Sequence, residues 1–244
     1  MKPCANADSE LRLQVFLSRS GLCSRRQAMA IVQTGKVSVN GQVIREPSFK
    51  INPQKDKVVF QDKVIEYHHY EYVLLNKPAG YVTTLEDSHA EKIVLDLLPE
   101  NLKHLKPVGR LDKDTEGLLL LTNDGDVAYK LTHPKFNVDK VYHVEIKGQL
   151  TELDKVDLEE GVVVEGQKTF PARVERVKFL KDRTTLQMTI HEGRKRQIRL
   201  MFRSLGYHVV YLKRIIQGPL GLGDLKPGEL RMLTMEEIRK LKSP

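Results

Sequence analysis

Cysteine and tryptophan are nearly missing from this sequence, which has two cysteines and no tryptophan among its 244 residues. Two cysteines are too few for a zinc site built from cysteine, and Cys4 and Cys23 are not expected to form a disulfide in a reducing compartment. The eight histidines form no HExxH metalloprotease pattern. The sequence therefore predicts neither a metal site nor a disulfide.

Long apolar segments are also missing. The N-terminal segment lacks the apolar region of about 7 to 15 residues that marks a signal peptide. No run approaches the roughly 18 apolar residues that a membrane-spanning helix requires. These two absences predict a cytoplasmic protein with no membrane partner.

Positive charge outweighs negative charge. The chain has 40 Lys and Arg residues against 32 Asp and Glu residues, which gives a net charge of +8 and a pI near 9.3. An excess of this kind attracts polyanions, and nucleic acid is the natural candidate. The length exceeds the range of about 100 to 150 residues that is typical of one domain. The length therefore allows one large domain or two smaller ones, of which the motifs favour two, and the charge predicts a nucleic-acid partner.

Acidic residues are absent between Leu11 and Arg45, although this stretch contains several basic residues. A face that is merely soluble usually mixes charges of both signs, so an unbalanced face is more typical of phosphate contacts. Chance depletion of acids is the alternative interpretation. The residues predicted to contact RNA here are Arg12, Arg19, Arg25, Arg26 and Lys36.

Local signals divide this stretch into two helices and a hairpin. The first helix is predicted to include Leu11 on its apolar face. Ser24 followed by Gln27 is a capping box, which starts the second helix. Asn40-Gly41 favours a two-residue hairpin turn, because both residues readily adopt positive φ angles.

This order of elements resembles the RNA-binding domain named after small-subunit ribosomal protein S-four. The resemblance rests on a helix, a second helix with Ser-Arg-Arg at its start, and a hairpin with Val-Asn-Gly at its turn. It implies that a small α/β RNA-binding module opens the chain. We assign residues 1–10 to a tail, residues 11–67 to the S-four-like domain and residues 68–244 to a second domain.

Four consecutive leucines, Leu118 to Leu121, stand between two glycines in the second domain. A short apolar run bounded in this way is typical of a strand buried on both faces. Such a strand would hold the preceding loop, Arg110-Leu111-Asp112, on a rigid support, which suits a reactive carboxylate. A solvated turn with capping acids is the alternative.

Strand-like runs in this domain alternate with isolated helices rather than with a helix after every strand. This mixture predicts an α+β fold and not a regular βαβ array. The predicted strands are 72–75, 118–121, 141–146, 161–164, 185–190 and 209–212, and the predicted helix is 197–205.

Several segments of the second domain resemble the RsuA-type ribosomal RNA pseudouridine synthases. The resemblance spans roughly residues 70–235. It implies a mixed, largely antiparallel sheet with a central cleft. In this family an S-four-like domain commonly precedes the catalytic domain along the chain. Enzymes of this family isomerise uridine to pseudouridine. That reaction involves no redox change and no group donor, so the resemblance implies no cofactor. The segments that carry the resemblance are 76–80, 109–125, 140–142, 192–199, 218–220 and 225–229.

The resemblance implies three catalytic residues. Asp112 matches the catalytic aspartate, which acts as a nucleophile or as a base on the ribose. Tyr142 matches the tyrosine that supports the uracil, and Arg194 matches the basic residue that faces the aspartate. Buried aromatic packing is the competing interpretation for Tyr142. Asp114 and Asp124 are expected only to accept hydrogen bonds in turns.

The resemblance also implies a substrate pocket. Ile198 matches its apolar residue, although by itself Ile198 reads as an ordinary core residue. Leu111 and Arg110 precede the aspartate directly. Arg110 is expected either to fill the space left by a flipped base or to grip the RNA backbone.

A second basic cluster follows Glu192, which is the only acid near it. Helical spacing would place Lys195, Arg199 and Arg203 on one face. Relatives often carry two consecutive arginines where this chain has Arg199-Leu200. The residues predicted to contact RNA in this cluster are Lys195, Arg196, Arg199 and Arg203.

These features predict site-specific isomerisation of uridine in ribosomal RNA, with a lean towards the large subunit. We expect the partner to be ribosomal RNA or an assembling ribosomal subunit, and the protein to be a monomer. A non-catalytic RNA-binding or ribosome-assembly factor on the same fold is the alternative. A glycoside hydrolase fits poorly, because tryptophan is absent and the excess charge is basic. The glycine-rich segment 218–228 matches neither the dinucleotide nor the P-loop motif.

Overall fold

The computed structural model describes residues 10–84 and 92–243. The chain divides into two compact units, residues 1–71 and 72–244, with the division a few residues after the predicted boundary. Most of the predicted tail, and Cys4 with it, lies outside the described residues. Within the described residues, no helix is long and apolar enough to cross a membrane.

The first unit packs two helices against a small antiparallel sheet. The predicted capping box is confirmed, since the Ser24 hydroxyl accepts a hydrogen bond from the Gln27 amide and the Gln27 side chain accepts one from the Ser24 amide. The predicted hairpin is also confirmed, with φ angles of 52° at Asn40 and 86° at Gly41. The elements are β1 (Leu11–Arg12), α1 (Leu13–Arg19), α2 (Arg25–Gln33), β2 (Val37–Val39), β3 (Gln42–Ile44), β4 (Lys50–Ile51), β5 (Val58–Phe60) and β6 (Lys63–Val64).

One local prediction in this unit is wrong. Leu11 does not belong to the first helix, because Leu11 and Arg12 are extended and pair with Ile51 and Lys50 in a two-stranded ribbon. The helix therefore begins at Leu13. Leu11 is still buried, so its apolar character was correctly assigned to the core while its conformation was not.

The second unit is built on a mixed sheet, in agreement with the α+β prediction. The elements are β7 (Tyr72–Lys77), β8 (Lys106–Pro107), β9 (Glu116–Thr122), α3 (Gly125–Thr132), β10 (Lys140–Lys147), α4 (Glu152–Glu160), β11 (Val163–Val164), β12 (Gln167–Lys168), β13 (Arg173–Phe179), β14 (Arg183–Ile190), α5 (Gln197–Ser204), β15 (Val209–Gln217), β16 (Leu220–Gly221), β17 (Leu230–Met232) and α6 (Met235–Lys242). The strand order in the sheet is β13-β14-β10-β15-β9-β7-β17, and β8 and β16 add short pairs to β9 and β15.

The four leucines form the predicted buried strand. Leu118 to Leu121 are fully buried in β9, which lies between the antiparallel β7 and the parallel β15. Gly117 has a φ angle of 109°, and a Cβ atom there would lie 2.1 Å from the Arg214 carbonyl oxygen. Only glycine permits the two strands to approach this closely.

Candidate active site

A cleft of about 640 Å³ opens on the second unit where the loop before β9 meets the face of β10 and β15. It gathers residues that are far apart in the sequence, because β15 is placed between β10 and β9 in the sheet. The predicted catalytic and pocket residues all line it, namely Arg110, Leu111, Asp112, Tyr142, Arg194 and Ile198. The side chains of Asp112 and Tyr142 thus face a common space.

The loop that carries Asp112 is fixed by a buried lysine. Lys77 is fully buried at the end of β7, and its ammonium donates hydrogen bonds to the carbonyl oxygens of Thr115 at 2.8 Å, Asp112 at 3.1 Å and Pro78 at 3.1 Å. The Lys113 carbonyl oxygen lies farther from the same ammonium, at 3.4 Å, so three carbonyls of the turn that carries Asp112 surround one cation. The sequence shows Lys77 only as part of the 76–80 match, so its role was missed.

Burial sets the protonation of this lysine. Desolvation lowers the pKa of Lys77 to about 8, against the opposing charges of Asp114, Glu116 and Asp112. The group is therefore still charged at neutral pH, and it needs the carbonyl oxygens around it to compensate for lost hydration. The carbonyl oxygens compensate the ammonium for its lost hydration, and the ammonium in turn holds those carbonyl oxygens in place.

Two further contacts hold the same loop. The Thr83 hydroxyl donates to the Leu111 carbonyl oxygen at 2.9 Å and accepts from the Leu111 amide at 3.3 Å. The Gly80 amide donates to the Lys113 carbonyl oxygen at 2.7 Å. The backbone on both sides of Asp112 is thus bound to the segment that follows β7, as a reactive carboxylate requires.

Asp114 ties the loop to α5. Its carboxylate accepts hydrogen bonds from both terminal nitrogens of Arg196 at 3.2 Å and lies 3.3 Å from the Arg199 Nε. Burial raises the pKa of Asp114, but the two guanidiniums more than offset this and hold it below its ordinary value. Asp114 accepts hydrogen bonds as expected, but from two arginines that are remote in the sequence rather than within its own turn.

Asp124 is likewise structural. Its side chain caps α3 by accepting from the Asp126 amide at 3.1 Å and the Val127 amide at 3.3 Å, and it also accepts from the Tyr72 hydroxyl at 2.6 Å. The turn-capping interpretation is confirmed.

Tyr142 stands on β10 opposite Arg214, and both are nearly buried at the floor of the cleft. Lys140 lies two residues earlier on the same face, and its ammonium donates to the carbonyl oxygens of Val138 at 3.0 Å and His191 at 3.1 Å. Burial and the adjacent charge of Arg214 lower the pKa of Lys140 to about 8. The floor of the cleft is therefore cationic.

Arg194 faces the cleft but does not hold Asp112 in this conformation. Its guanidinium lies 3.0 Å from the Glu192 carboxylate and donates to the Lys168 carbonyl oxygen at 3.1 Å. Glu192 is mostly buried, and the guanidinium of Arg194 neutralises its carboxylate. The predicted pairing of Arg194 with Asp112 is therefore not made here, and the catalytic role of Arg194 stays a prediction.

Ile198 lies in the first turn of α5 and serves two purposes. It is 3% exposed and belongs to the hydrophobic core of the unit, yet it also lines the cleft. The core interpretation and the pocket interpretation are therefore compatible.

The comparisons with known proteins agree with this geometry. Residues 71–204 match the family model for RNA pseudouridylate synthase, which is more than half of the chain. The chain belongs to the RNA pseudouridylate synthase family. Residues 11–57 match the model of the "S4 domain", in agreement with the predicted S-four-like module.

Similar members of the RNA pseudouridylate synthase family match over nearly the whole chain. A Bacillus subtilis (strain 168) protein named uncharacterized RNA pseudouridine synthase YtzG is 40% identical, over 96% of this chain and 99% of its own length. The ribosomal large subunit pseudouridine synthase B of the same strain is 39% identical, over 95% of this chain and 96% of its own length. A crystal structure of a pseudouridylate synthase is 33% identical, with a TM-score of 0.67 over 95% of this chain and 99% of that one.

The basic residues of the first unit divide into exposed and buried. Arg19 is only 7% exposed, donates to the Tyr67 hydroxyl at 3.0 Å and stacks 3.8 Å from the Tyr70 ring centre. The prediction that Arg19 contacts RNA is corrected, because the aromatic residues that follow the small sheet bury it. The other four predicted residues are exposed: Arg12, Arg25, Arg26 and Lys36.

The basic cluster of this pseudouridylate synthase around α5 needs two corrections. Lys195 precedes the helix, which begins only at Gln197, so it does not share a helical face with Arg199 and Arg203. Arg199 is largely buried and donates to the carbonyl oxygens of Val209 at 3.0 Å and Asp114 at 2.9 Å. It therefore holds the fold together, whereas Lys195, Arg196 and Arg203 are exposed.

Proposed function

We propose that this protein isomerises specific uridines of large-subunit ribosomal RNA to pseudouridine, with Asp112 as the catalytic carboxylate. One observation carries the proposal: Asp112 projects from a loop pinned by Lys77 into the cleft whose floor contains Tyr142. The 39% identity to a ribosomal large subunit pseudouridine synthase supports the choice of RNA. The net charge of +8 supports a polyanionic substrate.

The reaction needs only groups that the cleft offers. The bond from ribose C1′ to uracil N1 breaks, and its electron pair moves into the base. After the base rotates, C5 bonds to C1′, the proton on C5 leaves and N1 gains a proton, so no atoms are added or lost overall. Asp112 acts as the nucleophile or as the base on the ribose, while Tyr142 supports the uracil ring.

The remaining residues complete the proposed site. Ile198 forms the apolar wall beside the uracil, with Leu111 packed behind the aspartate. Arg194 exchanges Glu192 for Asp112 when substrate is bound, which orients the carboxylate. Arg110 is exposed at the rim, where it fills the space left by the flipped uridine or contacts a phosphate.

The exposed basic residues bind the RNA backbone. In the first unit these are Arg12, Arg25, Arg26 and Lys36, and in the second they are Lys195, Arg196 and Arg203. Arg196 also binds Asp114, so phosphate binding there competes with an ion pair that is exposed to solvent and hence weak. We propose that the protein acts as a cytoplasmic monomer on ribosomal RNA or an assembling subunit.

A strain that lacks this protein tests the proposal directly. Pseudouridines in both ribosomal RNAs are mapped by carbodiimide modification and primer extension, in the deletion strain and after complementation with wild type. Loss of one or a few large-subunit positions, restored by wild type, is expected. A loss confined to the small subunit would reassign the substrate, and an unchanged map would contradict a role in ribosomal RNA modification.

The double variant Arg25→Ala/Arg26→Ala is expected to bind RNA more weakly and with a smaller dependence on salt. Each phosphate contact contributes roughly 0.7 to 0.9 to the slope of log affinity against log salt, so the slope should fall by one to two such contributions. Titrations at several salt concentrations measure it. Arg173→Ala, at an exposed arginine of β13 paired with Glu175, is the control and should leave the slope unchanged.

Turnover is expected to fall as pH rises through about 8, where Lys77 and Lys140 lose their protons. The turn then loses a hydrogen-bond donor, and the floor loses a positive charge. The unfolded chain keeps these protons up to their ordinary pKa of 10.5, so the same two groups make the free energy of unfolding rise over that window. Parallel measurements of turnover and thermal unfolding separate the two effects. A flat turnover profile well above pH 8 would contradict the assignment.

A further inference from the structure

Four polar side chains form a block on the cleft face where β10 and β15 pair. Lys140 is opposite Gln217, and Tyr142 is opposite Arg214. Arg214 and Gln217 are three residues apart, which would normally put them on opposite faces of a strand. Ile215 is an extra residue in the pairing, a β-bulge that turns both side chains to the same face.

Two atoms of this block have no partner. Arg214 is 2% exposed and donates from Nε to the Leu118 carbonyl oxygen at 2.8 Å, while its Nη2 has no hydrogen-bond partner among the described residues. Gln217 is 1% exposed, and its Oε1 also lacks a partner in the described part of the chain. Buried donors and acceptors are rarely left unpaired unless a ligand or water completes them. Both residues line the cleft.

The charge of the block favours an electron-rich ligand. Lys140 and Arg214 are two cations within one buried patch, and burial together with the charge of Arg214 lowers the pKa of Lys140. The two carbonyl oxygens that bind Lys140 leave one of its three N–H groups for another acceptor. A ligand edge that offers carbonyl oxygens together with one N–H donor would satisfy the whole block.

Uracil has such an edge, because N3–H stands between two carbonyl oxygens. Resting on the proposed function, we propose that Arg214 and Gln217 read this edge of the target uracil. The Arg214 Nη2 donates to a carbonyl oxygen, and the Gln217 Oε1 accepts from N3–H. Cytosine has a lone pair at N3 and would face the Gln217 oxygen without a proton between them. The pair therefore selects uridine over cytidine.

The same contacts survive the isomerisation. A half-turn of the base about the axis through N3 and C6 exchanges N1 with C5 and one carbonyl oxygen with the other, while N3–H stays in place. Arg214 and Gln217 hold the base equally well before and after the turn. When the bond to C1′ breaks, the electron pair spreads onto the carbonyl oxygens, which Arg214 and Lys140 face as cations.

The test uses the full-length protein and a synthetic hairpin copied from the ribosomal RNA segment around the mapped uridine. One hairpin carries uridine at the target and the other carries 3-deazauridine, in which a C–H group replaces N3–H. Wild type is expected to convert the deaza hairpin about tenfold more slowly or worse, since the Gln217 oxygen is left unpaired. Measured on wild type alone, this result does not depend on any variant folding.

Gln217→Leu supplies the second side of a double-mutant cycle. It should convert the uridine hairpin about tenfold more slowly than wild type and show no further loss on the deaza hairpin. Gln217→Glu, which keeps an acceptor oxygen, should restore the preference for uridine. Gln187→Leu alters a half-buried glutamine of β14 on the opposite face of the sheet and is the control, expected to behave as wild type.

The two proposals fail separately. The informative quantity is the ratio of the conversion rates on the uridine hairpin and on the deaza hairpin. If this ratio is the same for wild type and for Gln217→Leu, the contact with N3–H is refuted while the proposed function stands. If wild type converts the deaza hairpin as fast as the uridine hairpin, the contact is refuted as well. If no ribosomal uridine depends on the protein, the proposed function itself fails.

Discussion

Asp112→Asn is expected to abolish pseudouridine formation, with turnover at least about ten-thousandfold below wild type, while folding and RNA affinity are preserved. The amide is nearly isosteric with the carboxylate, but it cannot act as a nucleophile or base. The loop contacts involve the Asp112 carbonyl oxygen and not its side chain, so Lys77 continues to hold the turn. Tritium release from uridine C5, without added metal or nucleotide, measures turnover.

Two neighbouring carboxylates give matched controls for this substitution. Asp114→Asn weakens the ion pairs with Arg196 and Arg199 but leaves the hydrogen bond from Arg199 to the Asp114 carbonyl oxygen in place. Asp124→Asn keeps an amide oxygen that caps α3. Both variants should keep substantial activity. If the Asp112→Asn variant turns over as fast as wild type, the catalytic role of Asp112 is refuted and an RNA-binding assembly factor is favoured. The same conclusion follows if the wild-type protein needs an added cofactor.

Lys77→Met is expected to lower turnover by about a hundredfold, because the loop that carries Asp112 loses its central hydrogen-bond donor. Misplacement of a reacting group by about an ångström is enough for a loss of this size. The carbonyl oxygens of Thr115, Asp112 and Pro78 would be left in a buried site, so the free energy of unfolding should also fall, by about 1–3 kcal/mol.

The control for Lys77 is Lys113→Met, at an exposed lysine in the same loop. It removes a surface charge and leaves the buried donor in place, so turnover should change little. RNA affinity should be nearly unaffected in Lys77→Met, since that ammonium is buried. A variant that loses affinity but keeps its turnover at saturating RNA would show that Lys77 acts on binding and not on the loop.

The parts of the fold that follow from local chemistry were predictable. The Ser24 capping box, the Asn40-Gly41 turn and the leucines of β9 depend on residues within a few positions of each other, and each appears as expected. The family resemblance predicted that Asp112, Tyr142 and Ile198 share one site, and all three line the same cleft. These predictions required no knowledge of remote partners.

The errors came from residues whose partners are remote in the sequence. Arg19 is covered by Tyr67, which lies 48 positions later, and no local pattern reveals that contact. Strand β15 was predicted to end at Leu212 but continues to Gln217, because the polar residues at its end are buried by the sheet around them. Arg214 was therefore not predicted as a site residue, although it belongs to the floor of the cleft.

The position of β15 also determines when the cleft can form during synthesis. In the sheet this strand lies between β10 and β9, yet it is made after both of them. Until residue 217 has left the ribosome, this sheet can exist only as two separate parts, β7 with β9 and β10 with β14 and β13, each with an open edge. Unpaired edges invite association with other chains, so a chain that stalls before β15 would be prone to aggregate. The strand that supplies Arg214 and Gln217 to the cleft is thus also the one that joins the two parts of the sheet.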